Sequence, residues 1–113
     1  MLPSKNRLVK RADFLLTQKS GCRYQGVLFA LLVKETENSF PRFGFVVSNK
    51  ISKKATVRNL AKRRLREATR NLLTKVKPRV DIVLLGKRTL LDCSFFRVQE
   101  EIKTLFEKAK ILA

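Results

Sequence analysis

The segment from Ser48 to Arg70, SNKISKKATVRNLAKRRLREATR, carries nine of the chain's 26 Lys and Arg residues and a single acid, Glu67. On a helix at roughly 100° per residue, Arg58, Asn59, Lys62, Arg63, Arg66 and Arg70 fall within an arc of about 140°. Val57, Ala61, Leu65, Ala68 and Leu72 collect on the opposite side, at the spacing of a helix that buries one stripe. The chemistry open to such a wall is binding. A charge run is ordinarily a solvated face, but this one has almost no acids. Like charges at helical spacing repel by roughly a few tenths of a kcal/mol per pair, so a polyanion is the counter-charge that makes sense of it.

Residues for catalysis are scarce. The chain has no histidine, which removes a triad and a neutral-pH imidazole base. Glu35 and Glu37 are close in sequence but fall in a polar turn, where solvation explains them better than metal-assisted chemistry. Glu67 is most simply an intrahelical partner of Arg63 or Arg70. Cys22 and Cys93 lack ligand spacing, which excludes a zinc finger, and no glycine-rich phosphate loop is present.

A length of 113 residues fits one domain, 1–113, with a modest core. A net charge of +17 with 44% hydrophobic residues describes a folded, phosphate-binding chain rather than a disordered basic tail. A ribosomal protein, a DNA-coating protein and a ribonucleoprotein subunit fit this composition equally well. The first residues, MLPSKNRLVKR, hold no apolar run of the signal-peptide kind, and Val27 to Val33 is far shorter than the ~20 residues of a membrane span. A soluble protein of the reducing cytoplasm is expected, with no membrane and no small-molecule substrate as partner.

The elements that must position the wall follow in order. Ala12, Leu15 and Leu16 give a short helix an apolar side, ended near Ser20 and Gly21. Phe14 points away from that side, either as a core aromatic slightly displaced or as an exposed stacking residue. Tyr24 to Val33 reads as one strand buried on both faces. In a second strand, Arg42, Gly44 and Val46 alternate with Phe43, Phe45 and Val47, and the two strands look like a hairpin. The central helix is expected over Thr56 to Leu73 with Thr56 as N-cap. Val80 to Leu85 reads as a third strand stopped by Gly86, and a last helix from Ser94 buries Phe95, Val98, Ile102, Leu105, Phe106 and Ala109 while Glu100, Glu101, Lys103 and Glu107 stay outside the stripe. The order α-β-β-α-β-α implies an α+β two-layer sandwich around a small sheet. A further short strand is possible in the loop before the central helix but has no assigned place.

Several of these residues also form a known pattern. Lys50-Ile51, Ala55, Val57-Arg58-Asn59-Leu60-Ala61-Lys62-Arg63, Arg66-Glu67 and Arg70 resemble the signature of the bacterial ribonuclease P protein component, R-x-G-F-x-V-S-K-K followed by R-N-R-x-K-R-x-x-R-E. Asn6-Arg7-Leu8 with Asp13-Phe14, Arg42 to Ser48, and Asp81-Ile82-Val83 are similar to the rest of the family's pattern, in order along nearly the whole chain. The resemblance implies the protein subunit of an endoribonuclease that removes the 5′ leader of precursor tRNA, with catalysis and magnesium held mainly by the RNA subunit. Its implied partners are the ribonuclease P RNA and precursor tRNA. By position, Lys50, Lys53, Arg58, Asn59 and Arg63 would face the catalytic RNA, and Phe14, Lys62 and Arg66 would line a leader cleft. The sheet would be mixed, with a left-handed βαβ crossover that runs against the usual rule. Leu60 and Asn49 depart from the pattern; Leu60 removes one guanidinium, so that one backbone contact would be absent or shifted to Arg64, and Gln18 stands where a second aromatic is frequent, leaving Tyr24 or Phe29 as substitutes. The rival reading is a structural RNA-binding protein of ribosomal type that takes no part in cleavage.

Overall fold

In the computed structural model, which describes residues 2–112, the strands with the longest apolar runs take the middle of the sheet. The elements are α1 (Arg11–Ser20), β1 (Cys22–Gln25), β2 (Phe29–Glu35), β3 (Arg42–Val46), α2 (Ala55–Arg70), β4 (Val80–Gly86) and α3 (Phe95–Lys108), with short 3₁₀ turns between some of them. The sheet order is β1-β2-β4-β3. β4 is antiparallel to β2 and parallel to β3, so the sheet is mixed and α2 is the crossover from β3 to β4. Central β4 buries all but Leu85 and β2 buries Phe29 to Leu32, whereas the edges are the polar β1 and the Arg- and Gly-containing β3.

Alternation along the strands sends side chains to two unequal cores. On one face Phe29, Leu31, Phe43, Ile82 and Leu84 meet Ala61, Leu65 and Ala68 of α2 and Val98, Ile102, Leu105 and Phe106 of α3. The Phe43 and Phe106 rings stack with centroids 6.1 Å apart. On the other face Leu8, Leu32 and Val83 form a small cluster closed by Phe14, Val46 and Leu85. The sheet and the α2/α3 layer thus make the main sandwich, and α1 lies alone across the opposite face. No helix of the described residues is long and apolar enough to cross a membrane.

Five sequence expectations change. Tyr24 to Val33 is two strands: the chain turns at residues 26–28, and β1 pairs with β2 through Tyr24 opposite Leu31. The split adds a strand where none was expected and makes the order α-β-β-β-α-β-α, while the loop before α2 holds no strand. The cause lies far along the chain. Glu101, buried in α3, accepts hydrogen bonds from the Val27 and Leu28 amides at 3.2 and 2.6 Å, while Lys87 Nζ donates to the Gly26 carbonyl at 2.6 Å. The expected hairpin is also absent, because β4 lies between β2 and β3.

The third change is that Thr56 sits inside α2; the N-cap is Lys54, whose side chain makes no capping bond. The fourth concerns α1, which is turned over. Leu15 and Leu16 are about half exposed at 53% and 50%, while Thr17 is buried and Asp13 and Phe14 face inward. In α3, Phe95 joins the exposed residues as Glu101 moves inside; Ser94 caps the helix by accepting from the Arg97 amide at 3.2 Å.

Candidate nucleic-acid interface

α2 presents its cations outward because Ala61, Leu65, Ala68 and Thr69 fix its other side in the core. Small alanines let the helix sit close to the sheet, and one turn advances about 5.4 Å, so cations spaced by four residues form a ridge. No side-chain hydrogen bond or ion pair ties Lys53, Asn59, Lys62, Arg63 or Arg66 to another described residue. The exceptions lie at the margins: Arg70 pairs with Glu67 at 3.3 Å, and Arg64 donates to the Cys93 carbonyl at 3.0 Å. Arg64 therefore leans toward the start of α3, away from the place left by Leu60, which is itself 47% exposed.

Two concavities adjoin the ridge. At the N-terminal end of α2, Asn49, Lys50, Lys53 and Arg58 line an open bowl with no acid among them. Arg58 Nη1 donates to the Ser52 carbonyl at 2.9 Å, and Arg88 reaches across from the end of β4 to donate to the Lys50 carbonyl at 3.1 Å. Both bonds use backbone acceptors, so they hold the guanidinium groups without neutralising them. Asn59 and Arg63 lie outside the bowl, exposed on the adjacent helix surface.

The second concavity is a cleft of about 340 Å³ along the outer edge of β3, lined by Leu2, Arg7, Leu8, Val9, Phe14, Phe43, Gly44, Phe45 and Arg66. It unites Phe14 and Arg66, from helices on opposite faces of the sheet. Lys62 is not among its lining residues; it lies one turn before Arg66 on α2. Tyr24 and Phe29 are not there either. Tyr24 belongs to the far edge strand, and Phe29 is fully buried. The additional aromatic is Phe45, over whose ring the Arg66 guanidinium sits at 6.0 Å from the centroid. Alternation had grouped Phe45 with core residues, and only its position at an uncovered edge exposes it to the cleft.

Phe14 is both packed and presented. Its ring lies against Gly44 so closely that a β-carbon at Gly44 would overlap ring atoms. Glycine makes room for the ring by close approach, and its φ angle is not what favours it. The helix carrying Phe14 is fastened by charge. Arg42 makes a forked pair with buried Asp81, Nε to Oδ1 at 2.8 Å and Nη2 to Oδ2 at 2.6 Å, and its Nη1 reaches Asp13 of α1 at 3.2 Å. The Asp81 hydrogen bond raises the Arg42 pKa above its ordinary value despite the opposing effect of burial, with Asp81 and Asp13 charge adding to it. Asp81, Arg42 and Asp13 were visible in sequence only as members of a pattern; their contact with one another was not.

The geometry is that of a surface for phosphates and unstacked bases: a helix whose cations, Arg70 apart, have no carboxylate partner, beside a cleft floored by aromatic rings. A family model described as "Ribonuclease P" matches residues 2–110. The chain is 35% identical to the "Ribonuclease P protein component" of Pseudanabaena sp., covering 99% of this chain and 97% of that one. It is 37% identical to the protein of the same name from Rippkaea orientalis, covering 98% and 91%. Among solved structures, the RNase P protein of Thermotoga maritima superposes with a TM-score of 0.81 at 33% identity, covering 90% of this chain and 96% of that one. That of Staphylococcus aureus gives 0.86 at 25% identity, covering 96% and 98%.

Proposed function

The chain belongs to the ribonuclease P protein family, and from that premise we propose that it is the protein subunit of a cytoplasmic ribonuclease P, binding the catalytic RNA and the 5′ leader of precursor tRNA. Lys50, Lys53 and Arg58 in the bowl, with Asn59 and Arg63 on the ridge, contact the catalytic RNA. Phe14 and Arg66 in the cleft, with Lys62 at its approach, hold the leader. The supporting observation is the uncompensated ridge of α2 running from the bowl to the cleft. One helix thereby serves two stretches of nucleic acid at once.

Hydrolysis is assigned to the RNA subunit. Magnesium, held mainly by that RNA, supplies the charge stabilisation for phosphodiester cleavage. Among the described residues no group of three or more His, Cys, Asp or Glu could hold an ion. What the chain contributes is electrostatic and positional. Each Lys or Arg that neutralises a phosphate adds roughly 0.7–0.9 to the salt slope of binding, and a stacked base adds roughly 1–3 kcal/mol.

The test is reconstitution. Purified protein, ribonuclease P RNA and end-labelled precursor tRNA are combined at low magnesium. Stimulated release of the leader is expected; tight RNA binding without stimulation would favour a structural RNA-binding role, and cleavage by the protein alone would overturn the assignment of chemistry to RNA.

A further inference from the structure

The cleft is lined by a second cation besides Arg66, namely Arg7. We infer that Arg7 is a phosphate-binding residue of this cleft, acting with Arg66 on two sites of one single-stranded segment whose base rests on the aromatic floor between them. This rests on the leader-binding reading of the cleft given above.

The placement of Arg7 is fixed on both sides. Asn6 is buried and donates from Nδ2 to the Pro41 carbonyl at 2.8 Å, while the Leu8 amide donates to the Phe43 carbonyl at 2.9 Å. Arg7 itself is bridged in parallel to Phe43, so residues 6–8 lie along the outer edge of β3 with a period of two. Asn6 and Leu8 point in and Arg7 points out. Its Nε donates to the Leu2 carbonyl at 3.0 Å, which anchors the near end of the guanidinium. Nη1 and Nη2 make no hydrogen bond to a described residue.

Charge completes the case. Of the nine residues lining the cleft two are arginines and none is an acid. Arg7, pinned by a backbone acceptor, and Arg66, set over the Phe45 ring, both keep their full positive charge directed at the same space. Phe14, Phe45, Leu8 and Val9 give that space an apolar floor. Paired cations around a flat apolar surface fit a nucleotide, whose base stacks while its phosphates are neutralised.

The experiment measures holoenzyme affinity for precursor tRNA and for leaderless tRNA across a salt series, with Arg7→Ala, Arg7→Lys and Arg66→Ala. Arg7→Ala is expected to lower the salt slope for the precursor by about 0.7 and to weaken its binding about fourfold near physiological salt, with leaderless tRNA unaffected. Arg7→Lys, which keeps the charge, should restore the slope. An equal loss for leaderless tRNA, an unchanged slope, or failure of Arg7→Lys to restore it would overturn the proposal and leave Arg7 as a strap for residue 2. Arg66→Ala separates this from the larger reading. If Arg66→Ala costs leader affinity and Arg7→Ala does not, only the role of Arg7 fails; if neither does, the cleft is not the leader site.

Discussion

On one face of the sheet α2 and α3 bury a continuous set of aliphatic and aromatic side chains; on the other, α1 covers three buried residues and is fastened by Arg42 between Asp13 and Asp81. The first arrangement gains from apolar area and depends on no single contact geometry. The second has little area to gain from, and Leu15 and Leu16, which could have supplied it, face outward. What the ion network supplies instead is direction. A forked guanidinium with two carboxylates admits few orientations, and it sets α1 so that Phe14 lies over Gly44 at the edge of the cleft. One face is built for stability, and the other to place a ring.

Substitutions on the two faces should therefore differ in kind as well as size. Leu65→Ala, at a fully buried position of the main core, is expected to cost about 4 kcal/mol in urea unfolding, with all functions falling together as the folded fraction falls. Arg42→Ala leaves Asp81 buried without its partner, for about 3 kcal/mol. Unlike Leu65→Ala, it should impair precursor binding under conditions where the protein is still folded by circular dichroism. Equal behaviour of the two variants would erase the distinction drawn between the faces.

Gly44→Ala sharpens it further. The added methyl meets the far end of the flexible Phe14 side chain, which can swing aside at modest cost. Leader affinity is expected to fall by about 1–2 kcal/mol, within the range of one stacked base, while affinity for the catalytic RNA stays the same. A parallel loss of both would show that Phe14 is purely a packing residue. The smallest effect is expected at Lys103, exposed on α3 beyond the main core: Lys103→Ala should change RNA binding by less than about 0.5 kcal/mol, and a large loss would mean α3 also meets RNA.

The basic ridge was legible because it is written within one helix: the spacing of Ala61, Leu65 and Ala68 dictates which way Arg58, Arg63 and Arg66 must point. The alternation of β3 was equally readable, including the opposite directions of Gly44 and Phe43. α1 was misread by the same logic. Its most apolar side is not its buried side, since Arg42 and Asp81, distant in sequence, select Asp13 and with it Phe14. The turn at residues 26–28 escaped for a similar reason. Nothing local interrupts Tyr24 to Val33 except one glycine, and Glu101, more than seventy residues away, supplies the acceptors that hold the turn.

By itself, then, the sequence determined the charge, the ridge, the lack of histidine and the pattern of its family, because each of these is carried by residues near one another in the chain or by composition. Tertiary structure alone decided the strand order, the roll of α1 and the meeting of Arg7, Phe14, Phe45 and Arg66 around one cleft. Periodicity says that a side chain must be covered or exposed. It does not say by what, because the covering group comes from another part of the chain and the choice is settled by the free energy of the assembled whole.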